Sequence, residues 1–371
     1  MAIELSNLSF TNQADIVPVS GVEQILNTGI ANTLAGNDRI TGTITGSDRF
    51  GILNSGTINT GAGHDIITGI CDQNTIIPGA GIYTAGGNIN TDDGNDIIMG
   101  SGQAGDGILI SLGIINTGDG NDIITGTAID SGINVNYQGI LDTGKGSDII
   151  TGTGGYGIQN YFILNTGDGN DKITGNGTVS GGYGIVNVGT MDTGAGNDEI
   201  TGTNPNGLGI YNYSGSNINT GDGKDKITST GVIYNEGVIE TGNGDDSIIV
   251  NGTGAGYGIY NNGGNINMGN GNDSIITNEG FESGLNSSGS VFLGNGEDYI
   301  KGFGSGDFYG GNGNDTLELT PGTYSVGRWG ATVTLSKGSS LMLASEFEQL
   351  IAGGTTHLFA SLAQGQTIVV T

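Results

Sequence analysis

The chain reads as all-β: a right-handed parallel β-helix of about 12 coils with about 25–27 residues per coil, and a small cap at each end. Three observations predict this. A Gly-x-Gly-x-Asp motif recurs twelve times, as in Ile115-Asn-Thr-Gly-Asp-Gly-Asn-Asp122-Ile-Ile-Thr-Gly126. Its aspartates fall at intervals of 27, 31, 26, 26, 23, 27, 27, 21, 27, 25 and 17 residues. Aliphatic side chains hold fixed places around each copy. A unit so short cannot bury a core alone and must lean on its neighbours.

The 371 residues carry 37 acidic and nine basic side chains, a formal charge of −28. That balance argues against nucleic acid and against an anionic membrane surface, both of which need basic patches, and for cations. Glycine supplies 77 residues without a Gly-x-y period, so collagen is excluded. Regularly placed aliphatics argue against a disordered low-complexity segment. Cys71 is the lone cysteine, so no disulfide framework or thiolate zinc cluster is expected. No apolar run is long enough to span a bilayer, and residues before Arg39 lack a secretory h-region.

In chain order, residues 1–28 lack the motif. Ile3, Leu5, Leu8, Phe10, Ile16 and Val19 are spaced as in short strands, and the segment is the expected N-terminal cap. Residues 29–317 form the repeat domain with three apolar ladders. The first follows a glycine, from Ile30 and Ile52 through Ile158 to Leu285; the second lies seven residues before each Asp, from Ala31 to Phe308; the third lies two residues after it, from Ile40 to Leu317. Branched aliphatics between Gly and Asn mean strands, three to a coil. Insertions fall mostly in the turn after the Thr-Gly segment, and the last interval of 17 suits a two-sided coil. Residues 318–371 form a C-terminal β cap, in which Ser345–Ile351 reads as a short helix or a final strand.

The motif carries the chemistry. Two glycines permit a tight turn that exposes carbonyl oxygens, and the Asp adds a hard anionic oxygen, a donor set suited to calcium. The candidate metal ligands are Asp38, Asp65, Asp96, Asp122, Asp148, Asp171, Asp198, Asp225, Asp246, Asp273, Asp298 and Asp315. With them go the paired glycines Gly118 and Gly120, Gly144 and Gly146, Gly167 and Gly169, Gly194 and Gly196, Gly221 and Gly223, Gly242 and Gly244, Gly269 and Gly271, Gly294 and Gly296, and Gly311 and Gly313. Stacked one per coil, bare carboxylates about 4.8 Å apart would repel by roughly 3.5 kcal/mol per neighbouring pair at an effective dielectric near 20. Each Asp on its own could serve only as a turn cap; twelve in one row point to Ca2+.

These repeats resemble the glycine- and aspartate-rich calcium-binding repeats of RTX (hemolysin-type) proteins, Gly-Gly-x-Gly-x-Asp-x-aliphatic-x. Gly310-Gly-Asn-Gly-Asn-Asp315-Thr-Leu317 matches every fixed position, whereas most copies carry Thr for the first Gly, as in Thr117-Gly-Asp-Gly-Asn-Asp122. The resemblance implies a secreted or surface-associated protein, exported through a type I channel by an uncleaved C-terminal signal, for which Phe347–Leu350 and the aliphatic end are candidates. It would fold on meeting calcium outside the cell. The expected role is structural and non-catalytic, because the lysines are scattered and His64 and His357 stand in unrelated contexts. Cell surface, matrix polysaccharide and self-association are the open partner classes. A polysaccharide-active β-helix enzyme is an alternative. So is a flat binding face for ice or glycan. Thr41/Thr43, Thr125/Thr127, Thr151/Thr153, Thr201/Thr203 and Thr228/Thr230 form a broken Thr-x-Thr ladder that resembles ice-binding solenoids, and tyrosines near the first ladder could stack on sugars.

Overall fold

The computed structural model describes residues 2–18, 23–44, 49–72, 79–204, 207–252, 257–282 and 289–371. The chain is a parallel β-solenoid with three faces, each one long sheet. Face 1 has twelve strands from Ala2–Glu4 to Phe281–Glu282, face 2 has sixteen from Ile30–Asn32 to Thr367–Val370, and face 3 has fifteen from Ile16–Val17 to Thr355–Leu358. One coil shows the plan: Tyr156–Asn160 on face 1, Ile163–Asn165 on face 2, Lys172–Gly177 on face 3. Its inward residues Ile158, Leu164 and Ile173 are fully buried, and each pairs in register with its counterpart in the next coil, Ile185, Met191 and Ile200. These ladders merge into one continuous apolar core.

Glycine shapes the interior as much as isoleucine does. The Gly of the Thr-Gly-Thr segment points inward from face 3 against the Gly that precedes Ile on face 1. A methyl group on Gly152 would sit 2.1 Å from the Gly157 carbonyl oxygen, so the two backbones meet with no room for a side chain. The corner between faces 1 and 2 is held by a buried asparagine ladder. Asn160, Asn187, Asn212, Asn235 and Asn261 stack so that each Nδ2 donates to the next coil's Oδ1 at 2.8–2.9 Å. The same amides donate to the carbonyls of Thr190, Asn217, Val238 and Asn265. Ile110 and Val135 take the ladder's place in two earlier coils, where the corner is apolar.

One ladder assignment needs correction. Ile30 is 68% exposed and belongs to a face 2 strand beside buried Ala31; the first ladder opens with Ile25, paired with Ile52. Its far end is Phe281, paired with Ile259, while Leu285 lies outside the described residues. The described part of the segment 1–28 packs on the first coil as an irregular opening turn. Leu5, Val17 and Ile25 enter the common core, Gln24–Leu26 pairs with Ala2–Glu4, and Ile16 points out beside buried Val17; Val19 is outside the described residues. Cys71 is buried on face 3 and donates to the Arg49 carbonyl.

Length varies most between faces 3 and 1 and also, to a smaller extent, between faces 1 and 2. The 17-residue coil has strands Gly306–Gly313 and Thr316–Glu318 on faces 2 and 3, with Gly304 bridging to Phe281 in place of a face 1 strand. Antiparallel hairpins then close the stack. Ser340–Ser345 extends face 2 and carries Gly322–Trp329 and Thr332–Lys337, while Gln349–Ala352 extends face 3 and turns back through Thr355–Leu358. Ser345–Ile351 thus supplies a strand and no helix. The tail flagged as an export signal is folded: Leu350 continues the third ladder and Thr367–Val370 pairs with Gly322–Ser325.

The asparagine corner yields a prediction. Asn187→Ala removes a donor and an acceptor between Asn160 and Asn212 and is expected to lower unfolding free energy by about 1–3 kcal/mol in urea melts, because one Asn160 amide N–H and the Asn217 carbonyl each lose a buried partner. An unchanged midpoint would show the ladder to be dispensable.

Candidate metal-binding corner

The third corner, between faces 2 and 3, is built by Thr-Gly-x-Gly-x-Asp. Gly118 adopts φ +91°, a conformation that side-chain-bearing residues rarely tolerate. The second glycine answers a stricter demand. A methyl on Gly120 would lie 1.4 Å from the Gly94 carbonyl oxygen and 3.1 Å from Asp122 Oδ1. Gly146 meets Gly120 in the same way, and so on through Gly169, Gly196, Gly223, Gly244, Gly271, Gly296 and Gly313, each with the preceding coil's glycine carbonyl directly beneath it. The first glycines Gly144, Gly167, Gly194, Gly221, Gly242, Gly269, Gly294 and Gly311 form a parallel column. All predicted glycines therefore line one corner.

The aspartates line it too. All twelve, from Asp38 to Asp315, are 2% exposed or less, although flanking residues such as Asn121 and Ile123 face solvent. They lie one layer beneath the surface. Each Oδ1 accepts the backbone N–H of the preceding coil's Asp at 2.7–2.9 Å, from Asp38 N–H to Asp65 Oδ1 through Asp298 N–H to Asp315 Oδ1. Asp15 N–H donates to Asp38 at the first end, and Glu348 Oε2 accepts from Asp315 N–H at the last. The residue before each Asp runs the opposite way: Asn121 Oδ1 accepts Ser147 N–H, and Asn170 Oδ1 accepts Asn197 N–H. His64 joins this row, its Nδ1 accepting Asn95 N–H, which makes it a turn residue.

The motif's threonine is a third ladder. The hydroxyls of Thr91, Thr117, Thr143, Thr166, Thr193 and Thr220 are buried, and each donates to the carbonyl of the residue stacked on it in the next coil. Threonine in place of the first RTX glycine is thus a second inter-coil tie.

What this leaves over is the second carboxylate oxygen. Oδ2 of all twelve aspartates is buried without a hydrogen-bond donor. Burial is the main force pushing these carboxyls up, to about 7 at Asp96, Asp171, Asp225 and Asp273 and to about 6 at Asp148 and Asp315. The stacked carboxylates add to the rise, while the N–H of the coil below and, at Asp96, Asp148, Asp171 and Asp225, the nearby hydroxyl of the motif's threonine oppose it. Asp65, Asp122, Asp198, Asp246 and Asp298 are raised for the same first cause. An orphaned anionic oxygen per coil, at a corner that also carries a column of glycine carbonyls, is hard-oxygen chemistry of the kind Ca2+ accepts, although among the described residues no three Asp, Glu, His or Cys side chains converge as a metal cluster. No sulfur or imidazole enters it.

Two predictions follow from this corner. Raised folded-state values mean that the ion-free protein holds more protons than its unfolded chain between the usual carboxylate range near 4 and about 7, so its stability falls as pH climbs through that window. Thermal melts in chelator should give a higher midpoint at pH 5 than at pH 8; the reverse order would contradict the buried, donorless carboxylates. Gly120→Ala should disrupt its turn, whereas Gly215→Ala, at φ +82° with open space around it, should lose only about 1 kcal/mol from backbone strain. Equal losses in the two would remove the steric argument.

No family model matches the chain, and no curated protein does. A solved structure that does, described as that of a hyperactive, Ca2+-dependent, beta-helical antifreeze protein from an Antarctic bacterium, shares 20% identity over 84% of each chain with a TM-score of 0.45.

Proposed function

We propose that the protein is a calcium-binding structural solenoid of RTX-like chemistry, without catalytic activity, whose stack stiffens when ions occupy the corner between faces 2 and 3. The run of buried, donorless Oδ2 atoms carries this reading. An unmatched buried anion is costly, and a column of them repels along its length. A divalent cation removes both penalties while Oδ1 stays on the backbone of the coil below. Asp Oδ2 and the second-glycine carbonyls would hold it. Ion binding would then be part of the folding free energy. In an exported protein this delays folding until calcium is plentiful, which agrees with the acidic composition and the single cysteine. Cell surface, matrix or further copies are the partners proposed.

Asp171→Asn tests the division of labour within one carboxylate. The amide keeps an acceptor for Asp148 N–H but loses the anionic oxygen. Equilibrium dialysis should show less calcium bound per chain, with the ion-free far-ultraviolet spectrum unchanged. Undiminished calcium uptake would place the ions elsewhere.

Face 3 favours a second reading. Ile66–Cys71, Ile97–Gly102, Ile123–Ala128 and Ile149–Gly154 pair without a register shift and carry no charged side chain. Their outward rows place Thr68, Met99, Thr125 and Thr151 beside Ile70, Ser101, Thr127 and Thr153. Six of these eight side chains are β-branched, and their regular spacing from coil to coil suits an ordered surface such as ice. Thermal hysteresis of the calcium-loaded protein, abolished by Thr125→Lys, is expected on that reading; its absence in the unaltered protein discards it.

A further inference from the structure

Face 1 differs chemically from the other two. Of 13 tyrosines, only Tyr299, Tyr309 and Tyr324 lie away from face 1 and its bordering corners. Tyr156, Tyr183, Tyr211, Tyr234 and Tyr260 come from five successive coils. Tyr156 pairs with Tyr183 in one row and Tyr211, Tyr234 and Tyr260 pair in the next, yet their centroids follow one another from coil to coil at 5.6, 5.8, 4.8 and 4.7 Å as one continuous strip. The strip spans four strand steps, roughly 19 Å. Three of the four contacts are tilted or edge-on, all five rings are half-buried, and Tyr213 stacks on Tyr211 at 3.8 Å and widens the aromatic surface toward the corner with face 2. Hydrogen-bonding groups sit along it. Glu236 accepts from the hydroxyls of Tyr211 at 3.2 Å and Tyr234 at 3.4 Å, and Asn262 Nδ2 donates to Glu236 at 2.8 Å.

Covering the outer face of a sheet does not require tyrosine: Leu53 and Leu109 hold this row in earlier coils. Nor does it require a carboxylate threaded between the rings. We propose that the strip is a binding site for a neutral, β-1,4-linked polysaccharide chain lying along the solenoid axis. An all-equatorial pyranose ribbon presents its axial C–H groups as an apolar face to the rings and its hydroxyls at the edges to Glu236, Asn262 and the phenols. The strip runs across five coils and is not enclosed, which suits a polymer and not a small molecule in a pocket. Charge fixes the class. No lysine or arginine lies on the described face 1 strands from Ala80 to Asn261, and Glu236 adds to an overall −28, so an acidic polysaccharide would be repelled.

This site is independent of the calcium-binding corner. The test uses the calcium-loaded full chain on amorphous cellulose and on immobilised polygalacturonate. Retention on cellulose and not on polygalacturonate is expected. In the double variant Tyr234→Leu, Tyr260→Leu, apolar cover remains but the flat rings are gone, and the dissociation constant should rise roughly tenfold or more. Tyr234→Phe should keep most of the binding. Melting temperature and calcium uptake, measured on each variant, confirm that the solenoid is intact. No retention on cellulose, equal retention on polygalacturonate, or unchanged binding by the double variant overturns the proposal. So does a change of oligomeric state in sedimentation in place of a change in glycan binding, which would make the strip a contact between copies.

Discussion

One carboxylate per coil, half matched and half not, is the constraint on which the rest of the structure depends. Its Oδ1 is fully used: it receives an N–H that the tight turn of the coil below leaves unpaired. Its Oδ2 is sealed under exposed neighbours with nothing to receive. Removing the Asp would strand a backbone donor, and keeping it strands an anion. Only a cation, or a proton, resolves both at once, and the raised carboxyl values measure how far the proton is drawn in when the cation is missing.

The rest of the coil is arranged to bring those carboxylates into register. The ladders of Ile, Leu and Met supply the burial, but side chains of similar shape do not by themselves fix which residue stacks on which. The polar columns do. Asparagine amides on one corner, threonine hydroxyls and aspartate oxygens on another, and glycines that tolerate no methyl group all pair one coil with the next at a single offset. A one-residue slip would break every column together. Glu348 continues the carboxylate row into the C-terminal hairpins, so the cap is joined to the stack by the same contact that joins coils.

Much of this was legible in the sequence because it repeats at fixed offsets. The Asp row and the two ladders placed by counting from it are all buried as read. The ladder placed by a local cue, an Ile after a Gly, failed where that cue recurs by chance at Gly29-Ile30; here only the pairing partner, Ile25 with Ile52, decides. The asparagine corner was visible as Gly-Ile-x-Asn but carried no signal of burial, since Asn is ordinarily a surface residue. Threonine in the motif read as a departure from a pattern because its hydroxyl's partner is a carbonyl about 26 residues away, which no local window contains.

The most direct measurement is anomalous diffraction from crystals grown in ample calcium. The account predicts a row of anomalous peaks along the corner between faces 2 and 3, each within coordination distance of an aspartate Oδ2. Finding that corner free of peaks, with the Oδ2 atoms protonated or turned to other donors, would contradict it.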